Sequence, residues 1–422
     1  MTTKPLDALR ESNFRWFFCS GVTTALGSSM TPVALAFAVL HLDNSAGALS
    51  HVLATYMAAQ VCFVILGGLA ADRFRRTLVL QGSYLLGALS QGTVAVLLLS
   101  ERASLTSLIV LEAVNGAAAA FALPAVQGVV PQLVARTQLQ QANAAMSFAR
   151  RGAMILGPAI AGALVATVGP GWAIAADATG FALGALTLTR VRLPDAVRTG
   201  HESLLTELRA GWSEVRSRTW LWVIIVAFGV VNVIHAGAWS VLGPVIAKSH
   251  PELGARGWGL VVSAEGVGAI AMTLVLLRLP LRRPLRQGMI CVSLMAVPLC
   301  TLGIRPETLL VGIGALIAGA GTEVFGTGWN VALMEQVPQE ALSRVSSWDM
   351  LGSFLAIPAG TLAYGWLATH VDLERLLVVS GILYAVAALG TLLVPSVRGL
   401  CRAPGLAPAP SPPTPVPDVP GS

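Results

Sequence analysis

Five carboxylates, Glu112, Asp177, Glu265, Glu323 and Asp349, each stand in a run of about 20 otherwise largely apolar residues. An ionised aspartate in the middle of such a run costs about 2.5–3.5 kcal/mol when the surroundings are hydrocarbon, so it is retained where it meets a partner or an aqueous cavity. A carboxylate that is desolvated in one state and hydrated in another takes up and releases a proton, which is the chemistry of coupling to a proton gradient. Glu323, Glu112 and Glu265 are the candidate proton carriers; a permanent hydrogen bond, an ion pair or a charge that binds a cationic ligand are the alternatives. Asp177, which opens DATGFALGA, reads as a capped or paired structural group. Arg150 and Arg151 could bind an anionic ligand, pair with a carboxylate or reach back to lipid headgroups. His235 could titrate near neutral pH or serve as a hydrogen-bonding group. Trp239 and Trp329 lie deeper than the other tryptophans and could stack on a hydrophobic or cationic ligand or simply pack.

The elements that carry these groups follow from composition. The 422 residues would make roughly two to three soluble domains by length, but 55% are hydrophobic and only 11% charged, with a mean hydropathy of +0.73. So few charges cannot clothe a water-facing globule. A net charge of +6 fits nucleic-acid binding only when the basic residues form a hydrated face, and here they sit in short loops, so no nucleic-acid partner is expected. Lysine occurs only as Lys4 and Lys248, neither in a phosphate loop, which argues against a nucleotide-driven pump. The five cysteines form no CxxC pair, so neither disulfide framework nor metal site is expected, and no cofactor. Neither HExxH nor GxSxG occurs, and an enzyme is not expected.

Apolar runs bounded by charge, Pro or Gly predict twelve transmembrane helices, at about 14–40, 48–71, 78–99, 105–130, 142–167, 172–190, 220–247, 257–278, 285–303, 308–337, 345–370 and 373–394. With the N-terminus inside, 22 of the 27 Lys and Arg residues fall on the inner side, as short cytoplasmic loops require. The expected location is the inner (plasma) membrane, crossed many times, with both termini cytoplasmic. The organisation read from this pattern is an N-terminal six-helix bundle (1–190), a cytoplasmic connector (191–219) with an amphipathic segment at Leu204, Leu205, Leu208, Trp212 and Val215, a C-terminal six-helix bundle (220–394) and a disordered Pro-rich tail (395–422).

The halves echo each other at an offset of about 200 residues, as parallel repeats do: GAMILGPAIAGAL surrounds Pro158, GSFLAIPAGTLAYG surrounds Pro358, and each follows a VPQ. Between the second and third spans, Gly67, Gly68, Leu69, Ala70, Ala71, Asp72, Arg73, Phe74, Arg75 and Arg76 resemble the GxxxD[RK]xG[RK][RK] loop of the major facilitator superfamily, with Arg75 where that family usually has glycine. Gly152, Gly157, Pro158, Ala161 and Gly162 resemble the GPxxGG motif of its drug/proton antiporter branch, Ala161 replacing one glycine. Over most of 5–398 the chain is similar to macrolide-efflux and enterobactin-exporter type proteins.

The resemblance implies an all-α membrane protein of two pseudo-symmetric six-helix bundles. It implies a secondary transporter that exports a small amphipathic molecule (drug, antibiotic or siderophore-like) against proton flow by alternating access, acting as a monomer with substrate, protons and the lipid bilayer as partners. An importer or uniporter of the same fold, or a non-transporting sensor or scaffold, is the alternative. Spans one, four, seven and ten line the cavity in that superfamily, which would place Glu112, Asn115, Asn232, His235, Glu323 and Asn330 there, with Arg150, Arg151, Trp239 and Trp329 as further substrate contacts. Gly68, Asp72, Arg73, Arg75 and Arg76 would form a gating loop, with Asp349 on span eleven either in a salt bridge to Arg73 or Arg75 or in an intrahelical or lipid-facing position. Gly152, Gly157, Pro158 and Gly162 would pack across the interface between the halves. The branch's span-four RxxxG is here Glu112, Ala113, Val114, Asn115, Gly116, so its arginine has no counterpart.

Overall fold

A computed structural model describes residues 7–192 and 204–402. Twelve of its helices are long and apolar enough to cross a membrane. They are α1 (Ser12–Leu42), α2 (Ala46–Arg73), α3 (Arg76–Leu99), α4 (Leu105–Leu133), α5 (Leu139–Thr167) and α6 (Pro170–Leu188) in the first half. The second half holds α8 (Thr219–Ser249), α9 (Gly254–Leu276), α10 (Pro284–Ile304), α11 (Thr308–Gln336), α12 (Arg344–Leu367) and α13 (Leu373–Leu393). Between them, α7 (Leu204–Ser217) is the amphipathic segment of the connector; residues 193–203 of the connector and the tail from 403 lie outside the described residues. The twelve spans and their order agree with the apolar runs of the sequence.

Each half closes on itself: α1 packs on α5 and α6, α3 on α4 and α6, and α2 on α4, while α9 and α10 pack on α11, and α10 on α13. Leu, Ile and Val from these faces form the buried core, while Phe63, Leu89, Leu309 and Val386 stay on the perimeter where lipid is the solvent. The glycines of α11 prove to be a packing seam, since Gly319 lies on the backbone of Glu265 and Gly321 on that of Cys291, wedging α11 between α9 and α10.

The halves meet through α5 on α9 and α2 on α12. At Gly162 a Cβ would stand 2.5 Å from the Ala255 carbonyl oxygen, and at Gly259 it would overlap that of Pro158. These contacts, and Gly365 against Ser50 and Gly47, all fall toward one end of the bundle, opposite the arginine-rich loops. At the same end the Lys248 ammonium, on α8, donates a hydrogen bond to the Leu40 carbonyl in the last turn of α1, where the helix dipole favours a cation. This end is shut.

Two helices are locally irregular. In α8 a π-helical stretch, His235–Leu242, separates Thr219–Ile234 from Gly243–Ser249. Pro244 has no amide hydrogen to continue the ladder, and the Gly243 N–H bonds to the Ala238 carbonyl one residue further back than in an α-helix. The extra residue in the turn rotates the faces before and after it relative to each other. In α12 the helix is broken between Phe354 and Ile357, just before Pro358.

The tail corrects its expected boundary, because Pro395–Arg398 forms a short helix, α14, with Val397 fully buried. Arg402 then pairs with Glu335 at 3.2 Å and its N–H meets the Arg282 carbonyl. Val397 and Leu400 are apolar and find the second half's core, so order persists beyond Pro395 where composition alone suggested none.

Candidate functional site

Between the halves lies a cavity of about 710 Å³. Its first-half wall runs from Leu35 and Leu53 near the shut end to Phe17, Val126 and Met146 near the arginine-loop end, whereas its second-half wall consists of His235, Trp239, Ser240, Pro244, Trp258, Val262 and Glu265, all from the middle or the shut end of α8 and α9. The cavity is therefore capped at one end, and toward the other it is lined by the first half without the second.

Three carboxylates face it, Glu112, Asp177 and Glu265, against a single arginine, Arg150, and one histidine, His235. Glu112, on α4, is 1% exposed. One of its oxygens accepts a 2.8 Å hydrogen bond from Gln91 Nε2 on α3, the other a 3.3 Å bond from Asn115 Nδ2 one turn along α4. Ser90 Oγ donates to the Leu111 carbonyl at 2.6 Å, fastening α3 to α4 beside this cluster. Glu265 has Trp239 and Tyr384 as neighbours, and Trp239 tilts onto Trp258 with ring centroids 4.8 Å apart. No salt bridge neutralises any of these three acids among the described residues.

Asp177 also lines the cavity, a position the sequence reading did not give it. It is nevertheless well held: Thr31 Oγ1 and Ser28 Oγ on α1 donate to its two oxygens at 2.6 and 3.3 Å. Glycines at 27 and 180 let α1 and α6 approach closely enough for this. The visible signal was the hydroxyl pair spaced three apart behind Gly27, one helical face of small polar groups aimed at a neighbour. Tyr56, also overlooked, lies on the wall within electrostatic reach of both Glu112 and Asp177.

Of the other anticipated substrate contacts, Asn115, His235, Trp239 and Arg150 do line the cavity. Glu323, Arg151, Asn232, Trp329 and Asn330 do not. Asn232 precedes the π-helical turn and its side chain bonds the Ser353 carbonyl on α12 at 3.0 Å; the rotation of register sends only the residues from His235 onward to the cavity. Trp329 belongs to an aromatic stack inside the second half, beside Phe325, itself stacked on Phe228 at 4.1 Å, with Trp220 edge-on. Asn330 is exposed.

Glu323 instead bridges the halves on the flank. Both its oxygens meet the Arg151 guanidinium at 3.0 Å, a bidentate pair, and Thr273 Oγ1 donates to one of them at 2.9 Å. The arginine side chain is 40% exposed, so solvent screens the pair. Thermal unfolding of purified protein should show Arg151→Ala and Glu323→Ala each destabilising by about 1 kcal/mol, and the double variant costing little more than either single one. Simple additivity in that cycle would contradict an energetic strut.

In the loop after α2, Asp72 and Arg76 are 3.9 Å apart, and the Arg76 side chain lies over Gly128 of α4. Gly68 has open space around it. Asp349 accepts hydrogen bonds from Trp329 Nε1 at 2.9 Å and Ser353 Oγ at 3.3 Å, and among the described residues no ion pair joins it to Arg73 or Arg75. The intrahelical alternative for Asp349 is the one seen, through Ser353 one turn along α12, with Trp329 of α11 as a second donor. The proline–glycine motif of α5 divides its contacts: Pro158 and Gly162 pack on α9 across the interface as expected, whereas Gly157 packs on Ser29 of α1 within the first half and a side chain at Gly152 would meet open space.

A capped, carboxylate-lined cavity between two six-helix bundles is a transporter's architecture, and the chain matches the family model described as Major Facilitator Superfamily over residues 17–361. The chain belongs to the Major Facilitator Superfamily. It is 25% identical over 393 residues to "Multidrug efflux pump Tap" of Mycobacterium bovis, covering 90% of this chain and 93% of that one. The protein of the same description from Mycolicibacterium fortuitum is 24% identical over 394 residues, 90% and 95% covered. Among solved structures of the superfamily's fold, a POT peptide transporter in complex with sulfate superposes with a TM-score of 0.76 at 12% identity over 94% of this chain and all of that one. The nucleoside transporter NupG gives 0.69 at 14% identity, covering 90% and 98%. Superfamily membership and the twelve spans make this a multi-pass membrane transporter that handles small molecules.

Proposed function

We propose that the protein is a proton-driven exporter of small amphipathic molecules in the plasma membrane, acting as a monomer with both termini cytoplasmic. The observation that carries the reading is the set of carboxylates on the wall of one capped cavity that have no cationic partner among the described residues. With the arginine-rich loops inside, the capped end is extracellular and the cavity is open to the cytoplasm, the state in which an exporter loads. The wall's charge balance favours a neutral or cationic head, and its aromatic and aliphatic faces, Trp239, Trp258 and Phe181 among them, accept an apolar body. The efflux description of the mycobacterial relatives agrees with this direction.

In the working cycle Glu112 is the coupling acid. It lies on the wall, has only neutral amides as partners, and shares the cavity with the cargo, so proton and cargo occupy it in turn. The two bundles, 1–190 and 220–394, rock about the midplane; Lys248 on Leu40 and the α5–α9 and α2–α12 seams separate to open the outer side. Arg73, Arg75 and Arg76 then come toward α12 and close the inner side.

The test is a compound-panel accumulation assay in cells stripped of their own pumps. Expression lowers the intracellular level of at least one amphipathic compound, and a protonophore restores it. Raised accumulation would instead favour an importer of the same fold.

A further inference from the structure

Behind Glu112, away from the cavity, Gln91 is completely buried, and its Oε1 has no hydrogen-bond partner among the described residues. Buried acceptors left unpaired are rare because they forfeit the hydration they had in the unfolded chain. The amide is not misplaced: Nε2 gives Glu112 its shortest hydrogen bond, 2.8 Å, and the Ser90–Leu111 bond fixes the backbone next to it. An ionised carboxylate can only accept, so the amide must present its NH2 to it and leave the carbonyl idle. Once Glu112 is a carboxylic acid the requirement inverts, since the O–H needs an acceptor. A half turn of the terminal amide torsion, a soft, two-fold rotor, brings the idle oxygen to the acid.

We propose that Gln91 is a positioning residue for proton exchange at Glu112, its amide serving the carboxylate through Nε2 and the carboxylic acid through Oε1. The inference rests on the reading of Glu112 as the coupling acid. Asn115 remains on the other oxygen, aimed into the cavity, so one face of Glu112 keeps a constant partner while the hidden face adapts. The other ionisable groups facing Glu112 are Tyr56 from α2 and Asp177 from α6, with Arg150, His235 and Glu265 across the cavity. Among the described residues the hydrogen bonds to Glu112 come from Gln91 on α3 and Asn115 on its own helix, and Gln91 alone carries an idle acceptor beside the hidden oxygen.

The experiment is an infrared difference titration of the full-length protein in lipid, with isotope-labelled glutamine and Glu112→Gln to assign the carboxyl band. Protonation of Glu112 should be accompanied by a shift of one glutamine side-chain carbonyl band from unbonded to bonded, and that shift should vanish in Glu112→Gln. In Gln91→Met the carboxyl titration should move to higher pH by about three- to tenfold in proton affinity, because the bond lost to the charged form is the stronger one, while cargo affinity at a fixed alkaline pH, where Glu112 is ionised in both proteins, stays within about twofold. A Glu112 band that titrates with no accompanying glutamine shift overturns the role of Gln91 and leaves the coupling reading standing. Absence of any Glu112 carboxyl band overturns both. The labelled wild-type spectrum decides the matter even where the methionine variant fails to fold.

Discussion

Glu112→Gln should leave a transporter that binds and exchanges cargo but no longer concentrates it. The variant fixes the side chain as a neutral hydrogen-bonding group, so protonation can no longer distinguish the two orientations, and a ligand that does not discriminate between states shifts neither. The magnitude follows from the driving force. One proton crossing about 100 mV releases about 2.3 kcal/mol, enough for a cargo gradient of about 50-fold. In vesicles with an imposed proton gradient, the wild type should approach that ratio and Glu112→Gln should stay at about 1, with counterflow of labelled cargo preserved. Asp177→Asn and Glu265→Gln should change cargo affinity more than the final gradient, because the aspartate is held by Ser28 and Thr31 and the glutamate stands beside the packed Trp239–Trp258 pair. A full gradient from Glu112→Gln would remove it from the coupling step.

The glycine contacts separate into two kinds with opposite consequences. Gly162 and Gly259 meet backbone of the opposite half, whereas Gly268 and Gly319 meet backbone within the second half, at Leu316 and Glu265. A side chain in the first pair can be accommodated by the halves moving apart; one in the second pair has nowhere to go. Gly259→Leu should therefore fold with near-native stability, lose transport by at least about tenfold, and raise maleimide labelling of a cysteine placed in the α8–α9 turn of a cysteine-free background, since the capped end can no longer shut. Gly319→Leu should cost about 1–3 kcal/mol or more by overpacking and show as lost folded protein on thermal unfolding. Equal destabilisation by both substitutions would mean that the inter-half seam is as rigid as the core.

How much of this was legible in the chain differs between scales. The spans and their polarity were, because about 20 apolar residues and a loop bias in arginine are one-dimensional signals that the bilayer imposes directly. Much of the cavity was too: Glu112, Asn115, Arg150, His235, Trp239 and Glu265 are polar or large groups where lipid-facing helix would carry neither. Glu323 and Trp329 were not, because which face of α11 meets the cavity depends on how glycines seat that helix between α9 and α10. Asn232 was lost to a π-helical turn, whose extra residue breaks the 3.6 period on which face assignments rest. Asp349 reads as a gate only when the halves are closed at its end; rocking state is a property of packing that no local pattern encodes. Gln91 was unremarkable in sequence because its meaning comes from the carboxylate one helix away.

The cavity wall is uneven, drawn along its whole depth from the first half but only from the capped portion of the second. Selection can then work on the two halves separately. Substitutions at Tyr56, Met146 or Phe181 would retune which compounds are carried without disturbing the aromatic stack of Trp220, Phe228, Phe325 and Trp329 that stiffens the other half. Variants with altered compound range should accordingly cluster in α1–α6, and variants with altered turnover at unchanged range in α8–α13.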